Sequence, residues 1–514
     1  MRSSRCFGVA AAFVIGILAL APAPAAARDF YVDPENGSAS GDGSAGDPWR
    51  TLEQVVEDGL IETRHWDTLP YEEGASLEAV HAGAPVQAGD TLWLRSGHHG
   101  DVVIEGAYNE APITLAAEPG HTPTLRRLVL RAASHWVVRG LSVSPSHAPE
   151  YDVITMVDID DHGHHGPSHD ITVEGCELFS VPDVAGWAAD DWVERACNGF
   201  QVDGDHVTLR DNRIRNVRFG ISVGGEDARV IGNHVVNFSG DGIRGLGDRG
   251  LFERNVIKNA YDVDENHDDG FQSWSTGPDG VGSGEVRGIV LRGNLILNHE
   301  DPDQPLKATL QGIGCFDGFF TDWVIENNVV ITDHWHGITL LGARGARIVN
   351  NTVIDRNDTD PGPPWIRVAP HKDGRPSEDV VVRNNLTTDL DLEGDGITED
   401  HNLLVEALED HFVDPAGFDL HLLETSEAVD TGSADLAPEV DRDGVPRPQG
   451  AGVDVGAYEW HDGELPLGDA GPGAGGDGGA GASGGCGCTV ASVPGAAWPL
   501  AWLGLGLLLW LRRR

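Results

Sequence analysis

Five carboxylates stand within eight residues at Asp262, Asp264, Glu265, Asp268 and Asp269, in the stretch NAYDVDENHDDGFQSW (259–274). Such oxygen-rich groups suit Ca²⁺, which takes six to eight oxygen ligands, although the twelve-residue spacing of an EF-hand loop is absent. Asp241 holds the same place before a glycine in DGIRG (241–245), so it joins the candidate metal set, and the plainer reading of Asp269 is a turn residue. Arg244, Gln272 and Trp274 sit close by in sequence, as do His267 and, further on, Lys307, Gln311 and His336. Together they offer the parts of a proton abstraction beside a carboxylate. A cation, arginine or amide neutralises the acid, and a base reaches the neighbouring carbon. Lys307 is one of only three lysines, with Lys258 and Lys372, which makes it a candidate base alongside His267, His336 and Arg244. Gln272 and Gln311 would bind substrate, and Trp274 would stack on a sugar ring; a buried core indole is the competing reading.

The elements that must position these residues are repeats. NGFQV (198–202) returns as FGISV (219–223), DGIRG (241–245), DGFQS (269–273), QGIGC (311–315) and HGITL (336–340). Between them runs a second recurrence, RDNRI (210–214), IGNHV (231–235), ERNVI (253–257), RGNLI (292–296), ENNVV (326–330) and VNNTV (349–353). A period of about 21–22 residues built from short Val/Ile strands is the signature of a solenoid. Strands rather than helices in every turn make it a single-stranded right-handed parallel β-helix, an all-β fold. Asn and Gly accept left-handed corners, and Asn at one corner can stack its amide on the coil below. Strand alternation points the residue before each Gly outward. The outward stripe then reads Asn198/Gln201, Phe219/Ser222, Asp241/Arg244, Asp269/Gln272, Gln311/Gly314 and His336/Thr339.

Where the spacing fails, it locates a site. The distance from anchor to strand Gly is 8 from Asn212 to Gly220 but 15 from Asn255 to Gly270, 18 from Asn294 to Gly312 and 23 from Cys176 to Gly199. These insertions leave at one corner and should wall one side of one face. Long insertions on a regular scaffold commonly carry function. A second loop, STGPDGVGSGE (275–285), follows the same strand.

Charge bounds the partners. Lys and Arg total 35 against 82 Asp and Glu, a net charge of −47, which argues against nucleic acid or an anionic membrane surface. The coils from 210 to 258 are richer in arginine (Arg210, Arg213, Arg215, Arg218, Arg229, Arg244, Arg249, Arg254), so either a local basic strip for a polyanion or solvated outward arginines is expected. The stretch DIDDHGHHGPSHD (158–170) collects His162, His164, His165 and His169 but matches no zinc spacing and reads as a solvated loop.

Residues 1–27 read as a secretory signal, with Arg2 and Arg5 ahead of an apolar run and APAAA at 23–27. Residues 28–60 give a strand and a capping helix with Thr51 as N-cap, 61–85 an insertion, 86–404 the β-helix, 405–460 a closing segment and 461–485 a Gly/Ala-rich linker. Cys176 and Cys197 would either bridge or fill the core as free thiols.

The opening DFYVDPENG, with GDTLWLRSG (89–97) and PITLAAEPG (112–120), resembles the secreted right-handed parallel β-helix superfamily, pectin-lyase-like in fold, that includes alginate- and chondroitin-type polysaccharide lyases. That resemblance implies a lyase acting on a uronate-containing glycan by β-elimination with Ca²⁺ assistance. A non-catalytic glycan-binding or structural surface protein is the alternative. HDDG (267–270) is also similar to the paired aspartates of polygalacturonase-type hydrolases, whose Gly-His-Gly and Arg-Ile-Lys motifs are absent, so a glycoside hydrolase using Asp268 or Asp269 is a third reading. Residues 486–514, with Cys486, Cys488, a hydrophobic run and terminal arginines, resemble the myxobacterial sorting signal MYXO-CTERM. This implies display at the outer surface membrane of a monomeric exported protein, with an acidic polysaccharide as partner.

Overall fold

The computed structural model describes residues 27–463 apart from residue 358. The secretory signal, most of the linker and the C-terminal segment expected to sort or anchor the protein lie outside the described residues. Among the described residues no helix is long and apolar enough to cross a membrane. The chain is a right-handed parallel β-helix whose coils stack strand on strand. One sheet, here sheet 1, stacks Thr155–Asp160, Asn198–Val202, Ile221–Val223, Ile243–Gly245, Asp269–Trp274, Gln311–Asp317, His336–Leu341 and Trp365–Ala369, each parallel to the next. Sheet 2 runs from His169–Glu174 through Thr208–Arg210 and Leu251–Glu253 to Thr398–Asp400. Sheet 3 runs from Gly97–His98 through Glu177–Phe179 and Val256–Ala260 to Leu403–Leu404. The inward Val, Ile, Leu and Phe side chains of all three form one continuous core.

The asparagine recurrence is a hydrogen-bonded ladder. Asn212, Asn233, Asn255, Asn294, Asn328, Asn351 and Asn385 are buried at one corner. Asn255 donates from its backbone N at 2.9 Å and from Nδ2 at 3.0 Å to Asn294 Oδ1, and Asn294 Nδ2 donates onward to Asn328 Oδ1 at 2.9 Å. The left-handed residue is the one before the ladder (Asp211, Gly232, Arg254, Gly293, Asn327, Asn350 and Asn384), and the ladder Asn itself is not left-handed. The strand glycines have a different cause from the one expected of corners. A Cβ at Gly242 or Gly270 would lie 2.4 Å from Cγ2 of Ile257 or Ile296, so close packing excludes any side chain there.

The N-terminal expectations match. The strand is Asp29–Val32 and the helix Leu52–Glu57, with Thr51 Oγ1 accepting from Gln54 N at 3.2 Å. The stretch 61–85 holds an antiparallel hairpin, Thr63–Trp66 with Leu77–Val80. Cys176, Cys197 and Cys315 are buried and free, so the core-filling alternative holds and no bridge joins Cys176 to Cys197. Residues from about 405 pack a second apolar cluster on the outer side of sheet 3, against Leu297, Val329, Ile331, Ile354 and Leu386. The Arg447–Glu459 ion pair at 2.7 Å is buried within this segment.

Asn294→Ala would leave the Asn255 backbone N–H and one side-chain N–H without partners in the core. Each such group costs about 1–3 kcal/mol, so a loss of about 3 kcal/mol or more is expected in denaturant unfolding. A loss below about 1 kcal/mol would mean that the ladder is incidental to stability.

Candidate functional site

The three long insertions do leave at one corner and form one wall. Trp192, on the helix Ala189–Arg195, stacks on Tyr261 at 4.5 Å between ring centroids, and Tyr261 meets His299 edge-on at 5.3 Å. Asp262 N donates to the Leu306 carbonyl at 2.8 Å, joining the second insertion to the third. The second insertion then folds over sheet 1. Its Asp264 pairs with Arg218 at 2.8 Å, and Asn266 Nδ2 reaches Asp241 Oδ1 at 3.5 Å.

This covering changes the stripe. The residues before the strand glycines point away from the core, yet Asp241 is 1%, Asp269 0% and Gln311 9% exposed, so they do not line an open polar groove. Asp269 N donates to Asp241 Oδ1 at 3.1 Å, which sets the two carboxylates one above the other on neighbouring coils. Arg244 Nε donates to Asp241 Oδ2, and its guanidinium lies 3.7 Å from the Phe219 ring centroid and 5.4 Å from that of Trp274. Gln272 Nε2 donates to Asp269 Oδ2 at 2.7 Å. Asp269 Oδ1 and Gln311 Oε1, on residues in register across the two coils, are buried acceptors with no donor. Asp269 fits only because position 314 is glycine, where a Cβ would lie 2.1 Å from Asp269 Oδ1.

Three carboxylates against one guanidinium leave charge that burial penalises. Burial, then the Asp241 charge, pushes the Asp268 carboxyl up to about 8. The same two causes in the same order hold Asp269 well above the carboxylate range. Burial also raises Asp241, but the Arg244 guanidinium opposes it. Asp268, at 8% exposure, is therefore a carboxylic acid that stays protonated at neutral pH, beside the Asp241 side chain that Arg244 holds.

Histidines and aromatics edge the same face. Burial brings His334 and His336 down to about 4, and the nearby His267 contributes to both. His336 Nδ1 accepts from Trp365 Nε1 at 3.2 Å, and Phe316 packs edge-on to His336 at 4.9 Å. Trp335, 41% exposed, lies over Trp365 at 6.5 Å.

Of the expected site residues, the structure brings together Asp241, Arg244, Asp268, Asp269, Gln272, Trp274 and Gln311, with His267 and His336 at the edge. Asp262 and Glu265 are exposed on the covering loop. Lys307 is directed elsewhere. Its Nζ donates to Asp333 Oδ2 at 2.9 Å, and it lines a small cavity of about 80 Å³ with Leu297, Asn298, His299, Asp333 and Asn357, none of them one of the three buried acids. The six acids expected to share a cation do not bring three ligand oxygens within 4.8 Å of one another among the described residues, and Asp264 is engaged by Arg218. Ca²⁺ needs six to eight oxygens, and this grouping alone does not assemble them. The basic strip also dissolves. Arg210 pairs with Glu174, Arg215 with Glu177, Arg218 with Asp264 and Arg249 with Glu226 and Asp227, on different faces of the coil. Asn266, Phe316, His334 and Trp365 were not expected. Phe219 and Gly314 stood in the outward stripe with no role assigned to them.

The comparisons agree with the architecture. Residues 198–360 match the family described as right handed beta helix region. No curated protein sequence matches the chain. Among solved structures, the chain is similar to pectate lyase Pel9A (14% identity, TM-score 0.45, covering 84% of this chain and 96% of that one). It is also similar to XylC in complex with xylose (10% identity, TM-score 0.48, 84% and 99%). A third is the A-module of the mannuronan C-5 epimerase AlgE4 of Azotobacter vinelandii (13% identity, TM-score 0.33, 61% and 91%).

The Asp268 carboxyl is protonated in the folded chain up to about 8, but in the unfolded chain only within the ordinary carboxylate range. The folded state thus holds the extra proton, and this contribution to stability is lost as pH rises through about 8. Asp268→Asn, neutral and of the same shape, should flatten the fall in thermal midpoint between about pH 5 and about pH 9. An unchanged slope would remove the buried-acid assignment.

Proposed function

We propose that this protein is a polysaccharide-cleaving β-helix enzyme that hydrolyses glycosidic bonds by carboxylate acid–base chemistry. The observation that carries the reading is Asp268, protonated near neutrality beside the Arg244-held Asp241. Environments that push neighbouring carboxyl groups apart in this way supply an acid and a base at one pH. Asp268 gives its proton to the departing glycosidic oxygen. Asp241, paired with Arg244, takes a proton from the attacking water as the covering loop admits substrate. Trp335, about two coil spacings along the face, offers a ring on which a sugar stacks.

β-Elimination has less support. Lys307, the expected base, is held by Asp333 in a separate cavity, and Arg244 is committed to Asp241. The exposed charges on the loop over the acids, Asp262 and Glu265, are negative. A neutral glycan therefore fits the site better than a uronate polymer.

The test is incubation of the purified protein with neutral and acidic polysaccharides. New reducing ends without an unsaturated product are expected, and Asp268→Asn should lower the rate about 100-fold or more. Ultraviolet absorbance from an unsaturated uronate would replace hydrolysis with elimination, and binding without either product would make the protein a glycan-binding module. Calcium is tested in the same assay. Loss of activity in chelator that is restored by added Ca²⁺ but not by Zn²⁺ would place a cation among the acids, and unchanged activity would remove it.

A further inference from the structure

A second group of polar side chains lies on the N-terminal coils, at the corner that leads into sheet 2. The strand Arg127–Arg139 lies parallel to His169–Glu174, with Ser134 in register with His169 and Trp136 with Ile171. Just before each strand enters the sheet, one residue turns left-handed. His135 has φ 57°, Asp170 has φ 54°, and the following coils place His206 (φ 53°), Asp227 (φ 56°) and Arg249 (φ 59°) at the same corner. Residues that repeat at one corner stack one above the next. Basic and acidic side chains alternate down this corner, with His206 3.6 Å from Asp227 and Asp227 2.8 Å from Arg249.

The top of the column differs from the rest. His169 stands beside Asp170 and brings a second imidazole to the same corner. One nitrogen of His135, one of His169 and one oxygen of Asp170 lie within 4.8 Å of one another. Ser134 Oγ is 3.2 Å from His135 Nδ1, and Asp170 Oδ2 is 2.8 Å from His169 Nδ1. Each ring carries a second nitrogen, Nε2, and a metal-bound imidazole is commonly steadied through the nitrogen that does not bind the ion. The rings meet edge-on at 5.9 Å, and Tyr108 lies 6.2 Å from His169 on the inner side. The neighbouring histidines His162, His164 and His165 form a separate group, with ring centroids 4.8–6.4 Å apart and His165 3.3 Å from Glu105. They do not meet the same ligand spacing.

We propose that His135, His169 and Asp170 bind a single Zn²⁺ ion. Two imidazoles and one carboxylate are a borderline-soft donor set that suits Zn²⁺ rather than Ca²⁺ or Mg²⁺. Asp170 is exposed and the two imidazoles are partly exposed, so the fourth position is open to water. The donors come from two successive coils, and a bound ion ties those coils together across the corner. The site is independent of the acids at Asp241, Asp268 and Asp269.

Zinc titration of the purified, chelator-stripped protein by calorimetry tests the site, with Co²⁺ absorption as a spectroscopic readout and the thermal midpoint as a third. One equivalent is expected to bind at micromolar or better affinity and to raise the midpoint. His135→Asn, chosen because Asn tolerates the left-handed backbone, and Asp170→Asn should each weaken binding about tenfold or more. His164→Ala should leave it unchanged. Circular dichroism of each variant shows whether its coils are intact, and His169→Gln replaces any variant that fails to fold. Absence of binding at millimolar zinc overturns the proposal, as does affinity unchanged in the His135, His169 and Asp170 variants. Loss only in His164→Ala would move the metal to the other histidine group and would also overturn it.

Discussion

Everything in this molecule depends on coil-to-coil register. Parallel strands about 4.8 Å apart place each residue directly over its equivalent in the next coil, and the buried asparagine ladder holds that placement at one corner. Each ladder Asn accepts from the coil before it and donates to the coil after it, so no rung can slip without leaving amide groups unpaired in the core. The glycine column enforces the same spacing sterically, because Ile257 and Ile296 occupy the space a side chain would need. Register is also what turns a sequence repeat into chemistry. Two aspartates at the same place in adjacent repeats become two carboxylates a coil apart.

The insertions supply the second ingredient. A loop that cannot join the ladder must leave at a corner, and three of them do so side by side, locked by Trp192, Tyr261 and His299. The middle one folds back across sheet 1 and takes the acids out of water. Burial raises all three carboxyls; the Arg244 charge opposes that rise at both Asp241 and Asp269, and at Asp241 its guanidinium also donates a hydrogen bond. One scaffold position therefore holds two differently partnered acids: Asp241 bonded to a guanidinium and Asp269 to the Gln272 amide.

Charge elsewhere is neutralised locally. The arginines between 210 and 258 looked like a strip in sequence, but one turn of a coil has three faces. Arg210 goes to sheet 2, Arg215 to sheet 3 and Arg244 to sheet 1, each meeting its own acid. What remains near the covered acids is acidic, which bears on the glycan the face would accept.

The repeat, the direction of its strands, the asparagine stacking, the Thr51 cap and the corner from which the insertions leave were all legible in the sequence, because each follows from periodicity or from a local hydrogen bond. So was the gathering of Asp241, Arg244, Asp269 and Gln272, since stacked repeats convert sequence spacing into spatial neighbours. Lys307 shows the limit. It stands four residues before Gln311, yet it lies in an insertion, where no repeat sets direction, and it turned to Asp333. The same limit hid the loop that buries Asp268 and Asp269, the Trp365 contact with His336, and the meeting of His135 with His169 across coils. Sequence determined which residues share a position on the solenoid. Only the tertiary structure decided which of those positions are covered and which charge faces which, because desolvation depends on segments far apart in the chain that no repeat relates.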